Sequence, residues 1–235
     1  MADFSAGKDE YKKMASTIFN IKESEVTKDQ RQFAKAIVLG CQFGMQGKTL
    51  KATCYQWGID ITSTRAEELV KIYRRLRPNI VNGWDECMNL VRTAIKNPNK
   101  AFHLNRLIYF KVDNGDLKIR LPSGRVLYYI RIKEENNGYK FSFVSGGNQC
   151  YLTMNTLVNN LVQSIARDVL CFHCIKLEKN GFKVSMHVHD EFVVESKEDQ
   201  FKLKQFNDIL KINPEWADGL PLEIEGEFYS RYGKY

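Results

Sequence analysis

The sequence predicts an α+β protein, and three patterns predict it. Residues 1–83 space their apolar side chains at helical steps, residues 117–132 alternate around Pro122-Ser123-Gly124, and residues 151–178 return to the helical period before a short acidic hairpin. The expected architecture is a set of helices with a β-hairpin insert, followed by part of an antiparallel sheet with packed helices.

Each element has its own signal. An opening helix is expected near 9–19 and a long one near 27–45, with Thr27 as N-cap. A third is expected near 63–76, capped by Thr62 or Ser63 and closed by Pro78, and a fourth from 79 to 96, ending before Asn97-Pro98. The stretch LKIRLPSGRVLYYIRI (117–132) reads as a hairpin about its Pro-Ser-Gly turn. EENNGYKFSFVSGGNQ (134–149) is polar and glycine-bearing and reads as a linker, so the domain boundary is expected at 145/146. Over 151–178, Leu157, Leu161, Ile165, Val169 and Phe172 recur at three- and four-residue steps. Gly181 stops that helix, the hairpin KVSMHVHDEFVVE follows, and a short helix near 197–211 precedes an irregular tail.

Composition narrows the class. A chain of 235 residues with 43% hydrophobic content can bury a substantial core, and its formal charge of +7 suits a polyanionic partner as well as many ordinary proteins. Six irregularly spaced cysteines without a signal peptide suggest reduced thiols rather than a disulfide framework. No apolar run reaches membrane-spanning length, and the polar opening MADFSAGKDEYKKMAS carries no targeting pattern. A cytoplasmic location without a membrane partner is the expectation.

Two stretches carry chemistry. In KVSMHVHDEFVVE, a strand period of two places Val184, Met186 and Val188 on one face and Ser185, His187 and His189 on the other, with Asp190 and Glu191 at or beside the turn. Carboxylates at a hairpin tip are a common way to hold magnesium, which takes a few hard oxygens and keeps positions for water and phosphate. A charged surface turn has the same sequence. His187 and His189 lack the further ligands of a zinc site, and CFHC (171–174) reads as core packing on an amphipathic helix.

The second stretch is TKDQRQFAKAIVLGCQFGMQG (27–47). Arg31, Lys35, Leu39 and Phe43 recur every four residues and form a slowly drifting stripe of two cations, an apolar side chain and an aromatic ring. That order suits a nucleotide laid lengthwise, with phosphates on the cations and sugar and base on the apolar pair. Gly40 and Gly44 would admit a close approach by a backbone, base or sugar. An ordinary amphipathic helix with exposed cations remains the alternative.

Taken together, Arg-x-x-x-Lys-x-x-x-(apolar)-Gly-x-x-(aromatic)-Gly and the downstream His-Asp-Glu hairpin resemble motifs B and C of the DNA polymerase I family (family A), bacteriophage members in particular. GIDIT, LPSGRVLYY, NNLVQSIARDVL and WADGLPLEIEG fit the same family, so the resemblance is nearly chain-long. It implies helical fingers over 1–145 and a partial palm over 146–235. It also implies that Arg31 and Lys35 meet the triphosphate of a dNTP, with Leu39, Phe43 and Tyr11 completing the nucleotide site. Asp190 would ligate two Mg2+ ions, Glu191 would lie beside the primer end, and His189, Gln163 and Asn159 would contact primer-template DNA. Leu39 stands where the family often has Phe or Tyr, Phe43 where it often has Tyr, and Tyr11 where it often has His.

Two-metal phosphoryl transfer needs carboxylates on both sides of the ion pair. The family's motif A aspartate has no counterpart in the sequence: Asp3-Phe4-Ser5 mimics it but lacks its continuation and its spacing to GKDEYKKMAS. The resemblance therefore implies a DNA-directed DNA polymerase portion, inactive alone, that joins a second polypeptide bearing thumb, motif A and a possible exonuclease domain. A template-directed RNA polymerase of the same fold and a non-catalytic nucleic-acid-binding relative are the alternatives.

Overall fold

The computed structural model describes residues 9–135, 140–197, 202–224, 226 and 228–233. Asp3 lies outside them. The fold is α+β, as the sequence predicts, and divides into two compact units: residues 1–121 with 125–161, and residues 122–124 with 162–235.

The first unit opens with α1 (Glu10–Phe19), α2 (Lys28–Cys41), α3 (Gly47–Gln56), α4 (Ser63–Leu76) and α5 (Pro78–Lys96). Their starts follow capping chemistry. Asp9 accepts the amides of Tyr11 and Lys12, Thr27 and Gln30 form a reciprocal capping box, Thr62 accepts the Arg65 amide, and Pro78 sits at the first position of α5. Met14, Ile37, Leu50, Leu69, Tyr73 and Trp84 pack into one core that α1 to α5 share with Val158.

The expected helix 27–45 is shorter than its apolar pattern. It ends at Cys41, because Gly44 turns the chain with a left-handed φ of 79° while its amide bonds the Cys41 carbonyl at 2.9 Å. A new helix, α3, then starts at Gly47.

Beyond α5 the chain forms an antiparallel meander, β1 (Ala101–Leu104), β2 (Ile108–Asp113), β3 (Asp116–Arg120), β4 (Val126–Glu135), β5 (Lys140–Ser145) and β6 (Asn148–Leu152), paired in sequence order. The predicted hairpin at 117–132 is β3 and β4. The predicted linker is a correction: KFSFVS and NQCYL are strands, and Gly146-Gly147 is their hairpin turn. Phe141 and Leu152 are fully buried, which a linker would not require. β1 and β2 are additional strands that the predicted hairpin insert did not include. Helix α5 packs on β1 to β4, against the face where Phe110, Val112, Leu117 and Ile119 are buried.

The long helix α6 (Met154–Lys179) starts three residues later than expected, because Tyr151 and Leu152 finish β6, and the two units part within it at 161/162. In the second unit, the later part of α6 is followed by β7 (Val184–Val188), β8 (Glu191–Val194) and α7 (Leu203–Leu210). The helix predicted over 197–211 is thus shorter, and residues 198–201 lie outside the described ones. Leu177, Phe182, Phe206, Ile209 and Leu210 form this unit's core, with Val184, Phe192 and Val194 packed on it. CFHC is only partly core: His173 is buried with Nε2 3.0 Å from the Ile212 carbonyl, while Cys171 is exposed.

The predicted alternation of the acidic hairpin needs one correction. Val184 pairs with Val194 but Met186 with Val193, so Ser185 is a bulge and the phase changes there. By register His187, opposite Phe192, shares the face of Val184 although its side chain is exposed, and Met186 lies on the other face, 42% exposed.

Candidate functional site

Two groups of the predicted residues assemble, one in each unit, and each is described by itself.

On α2 the four-residue step holds for three of the four positions. Arg31, Lys35 and Leu39 share the helix, Leu39 exposed and the two cations half-buried. Tyr11 of α1 lies beneath both cations, its ring centroid 5.1 Å from the Arg31 guanidinium carbon and 5.9 Å from Lys35 Nζ. This cation–π contact orients two flexible side chains on one aromatic face. Phe43 departs from the expectation: it lies in the turn after α2 and packs against the core of the first unit.

Asp9 completes the group, and sequence reasoning missed it. Oδ1 accepts the Tyr11 and Lys12 amides at 3.0 and 3.1 Å, while Oδ2 accepts Arg31 Nε at 2.7 Å. Burial pushes the Asp9 carboxyl up, but the Arg31 and backbone hydrogen bonds and the guanidinium charge outweigh it and hold the group below its ordinary value. An aspartate just before a helix signals a cap; nothing in sequence signals that its second oxygen reaches 22 residues onward. Arg77 fixes the neighbouring turn of α1 through an ion pair with Glu10.

The close approach expected at the two glycines is made by the protein's own side chains. A Cβ on Gly40 would meet Met45 Sδ at 2.8 Å, and one on Gly44 would meet Met154 Cε at 2.4 Å and Asn155 Oδ1 at 2.9 Å.

In the second unit the hairpin tip is a two-residue turn, His189-Asp190, closed by the Val188 and Glu191 pair. His189 takes a left-handed φ of 53°, which exposes its ring together with the Asp190 and Glu191 carboxylates. Tyr232 donates its hydroxyl to Glu191 Oε2 at 3.3 Å, a contact from the tail that the sequence did not signal.

The tip suits hard cations in donor type. Two carboxylates on adjacent residues offer oxygens that magnesium accepts and leave the remaining positions to water and phosphate. Among the described residues no three His, Cys, Asp or Glu side chains form a metal-holding cluster.

Asn159 and Gln163 are both exposed on α6, four residues apart. Neighbouring Asn160 turns inward and donates to the Tyr129 hydroxyl at 3.0 Å.

Among the described residues no helix is long and apolar enough to cross a membrane. A model of DNA polymerase family A matches residues 1–233. A DNA polymerase of Bacillus phage SP02 is 30% identical over 239 residues, covering 95% of this chain and 36% of that protein. DNA polymerase I of Aquifex aeolicus is 27% identical over 243 residues, covering 98% of this chain and 35% of that protein. The chain thus spans about a third of the length of these relatives. Among solved structures, the POL domain of Pol1 from M. smegmatis, in complex with DNA primer-template and dNTP, has the same fold over 89% of this chain and 31% of its own, with a TM-score of 0.59 at 17% identity.

Proposed function

Because the chain belongs to DNA polymerase family A, we propose that it forms the C-terminal fingers (1–145) and partial palm (146–235) of a template-directed DNA polymerase that extends a primer 3′ end with dNTPs. The observation that carries this reading is the paired cations of α2, Arg31 and Lys35, gathered on the Tyr11 ring, with Arg31 held by Asp9. Two cations on one rigid helix face bind the oxygens of a triphosphate and stabilise the charge that builds on the leaving pyrophosphate. Arg31 keeps its two terminal nitrogens for that task, since Nε is engaged by Asp9. Leu39, one turn beyond Lys35, offers an apolar contact to the sugar, and His189, Gln163 and Asn159 are assigned to the DNA backbone and minor groove.

Asp190 is the residue that would ligate the divalent cations, with Glu191 beside the primer end. Bound Mg2+ would activate the attacking 3′-oxygen and neutralise the leaving group. One carboxylate does not complete a two-ion site. The remaining ligands are proposed to come from a second polypeptide bearing the thumb and motif A.

Primer extension with Asp190→Asn tests the reading, using the chain combined with a polypeptide that carries motif A. Incorporation is expected to fall far more than tenfold, while duplex binding in a gel shift stays nearly unchanged, because phosphate contacts dominate DNA affinity. Extension surviving within tenfold would end the assignment. Supplying ribonucleotides in place of deoxynucleotides separates the RNA polymerase alternative in the same assay.

A further inference from the structure

Strands β1 to β4 have one face under α5 and another that carries none of the residues used above. Strand register defines the second face. His103, Tyr109, Arg120 and Val126 form one cross-strand row, and Ala101, Lys111, Lys118 and Tyr128 form the next. On this face Tyr109 is flanked by the His103 ring, with centroids 4.4 Å apart, and by the Arg120 guanidinium at 5.8 Å. Tyr128 is 58% exposed. Lys111 stands directly opposite Lys118, a like-charge pairing that costs stability in an antiparallel sheet. The acids on the face, Asp113 and Asp116, sit opposite each other at the β2–β3 turn, where Asp113 accepts Lys118 Nζ at 2.8 Å.

We propose that this outer face of β1 to β4 is a platform for single-stranded DNA. The assignment goes beyond the polymerase reading, since it concerns an unpaired strand and not the nucleotide or the duplex. The exposed Tyr128 and His103 rings, and the Arg120 plane over half-buried Tyr109, stack on unpaired bases, whose faces a duplex hides. Lys111, Lys118 and Arg120 supply charges for the phosphates running between those bases. Tyr109 and Tyr128 lie two strands apart, about 10 Å across the sheet, so one strand of DNA can lie over both. A partner protein with an acidic patch would also meet the lysines, but it would leave the flat tyrosine, histidine and arginine stack without a matching group.

The test is fluorescence anisotropy of the full chain with a labelled deoxythymidine oligonucleotide carrying no primer, over a range of salt. Tyr128→Ser is expected to weaken binding roughly tenfold, the usual loss of one base–aromatic stack, and Tyr128→Phe to restore it. Lys111→Gln with Lys118→Gln is expected to lower the salt slope by about 1.4, two single-strand phosphate contacts. Lys35→Ala, which removes a proposed triphosphate contact, is expected to bind the oligonucleotide as wild type does, so a failed nucleotide site and a failed platform give different results. Photocrosslinking with 5-iodouracil is expected to map to His103, Tyr109 or Tyr128. Titrations of both sheet variants overlaying wild type, or crosslinks only elsewhere, would overturn the proposal. Circular dichroism confirms that each variant is folded.

Discussion

Asp9 and Arg31, 22 residues apart in sequence, are joined by a 2.7 Å hydrogen bond from the guanidinium Nε to the carboxylate that also caps α1. One side chain thereby starts a helix and orients a cation of the candidate nucleotide site.

The Asp9 carboxyl is held below its ordinary value, so the stability it supplies is fully present above the unfolded value of about 3.9 and is lost as pH falls through the lower folded value. Asp9→Asn keeps the cap but removes the charge, and its unfolding curves are expected to lose less stability than wild type below about pH 4. Asp9→Ala is expected to cost about 1 kcal/mol at neutral pH through the cap alone. Urea denaturation from pH 3 to 7 on all three proteins checks both statements.

Lys35→Ala is expected to remove about 2–4 kcal/mol of transition-state stabilisation, seen as a higher nucleotide KM or a lower chemical rate, with DNA affinity nearly constant. Tyr11 acts on both cations through its ring. Tyr11→Phe should therefore match wild type, and Tyr11→Ala should lose about 0.5–1 kcal/mol. Single-turnover incorporation by the assembled polymerase separates these effects; loss of template binding with normal nucleotide kinetics would move α2 from the nucleotide to the DNA.

Gly44→Ala should destabilise the first unit by about 2–4 kcal/mol, combining a left-handed φ with a collision against Met154. Gly58 shares a positive φ of 77° but has no neighbouring atom within 4 Å of an added Cβ, so Gly58→Ala should pay only the backbone part, about 1 kcal/mol. Thermal unfolding of the pair isolates the packing contribution.

His189 occupies the left-handed region at the hairpin tip. His189→Val should weaken the hairpin by about 1–2 kcal/mol, and His189→Asn or His189→Gly should leave it intact. Hydrogen exchange at the β7 and β8 amides reads the hairpin directly, so a loss of primer extension in His189→Gly with normal protection would belong to DNA contact and not to folding.

The elements that the sequence announced are those with local chemistry at their ends. Thr27, Thr62 and Pro78 start helices by hydrogen bonding or fixed φ, and Pro122-Ser123-Gly124 sets the β3–β4 hairpin. The shared face of Arg31, Lys35 and Leu39 was legible from helix periodicity, whereas Tyr11 was singled out only by the family resemblance. The rest depends on tertiary contact. The space beside Gly44 is filled by Met154, more than a hundred residues onward, and Gly146-Gly147 closes a hairpin instead of loosening a linker. Asp9 was hidden because its partner is set by how α1 and α2 pack.

The bulge at Ser185 bears on how so short a ribbon can serve two surroundings. A regular hairpin is nearly straight and keeps the same residues inward along its length, whereas an extra residue on one strand bends the ribbon and tightens its right-handed twist. Here the base, Val184 with Phe192 and Val194, lies on the apolar core, while the tip, which begins four residues past Ser185, carries Asp190 and Glu191 into solvent. Curvature, and not only side-chain identity, aims the carboxylates. Deleting Ser185 would leave every acidic residue in place and point the pair elsewhere.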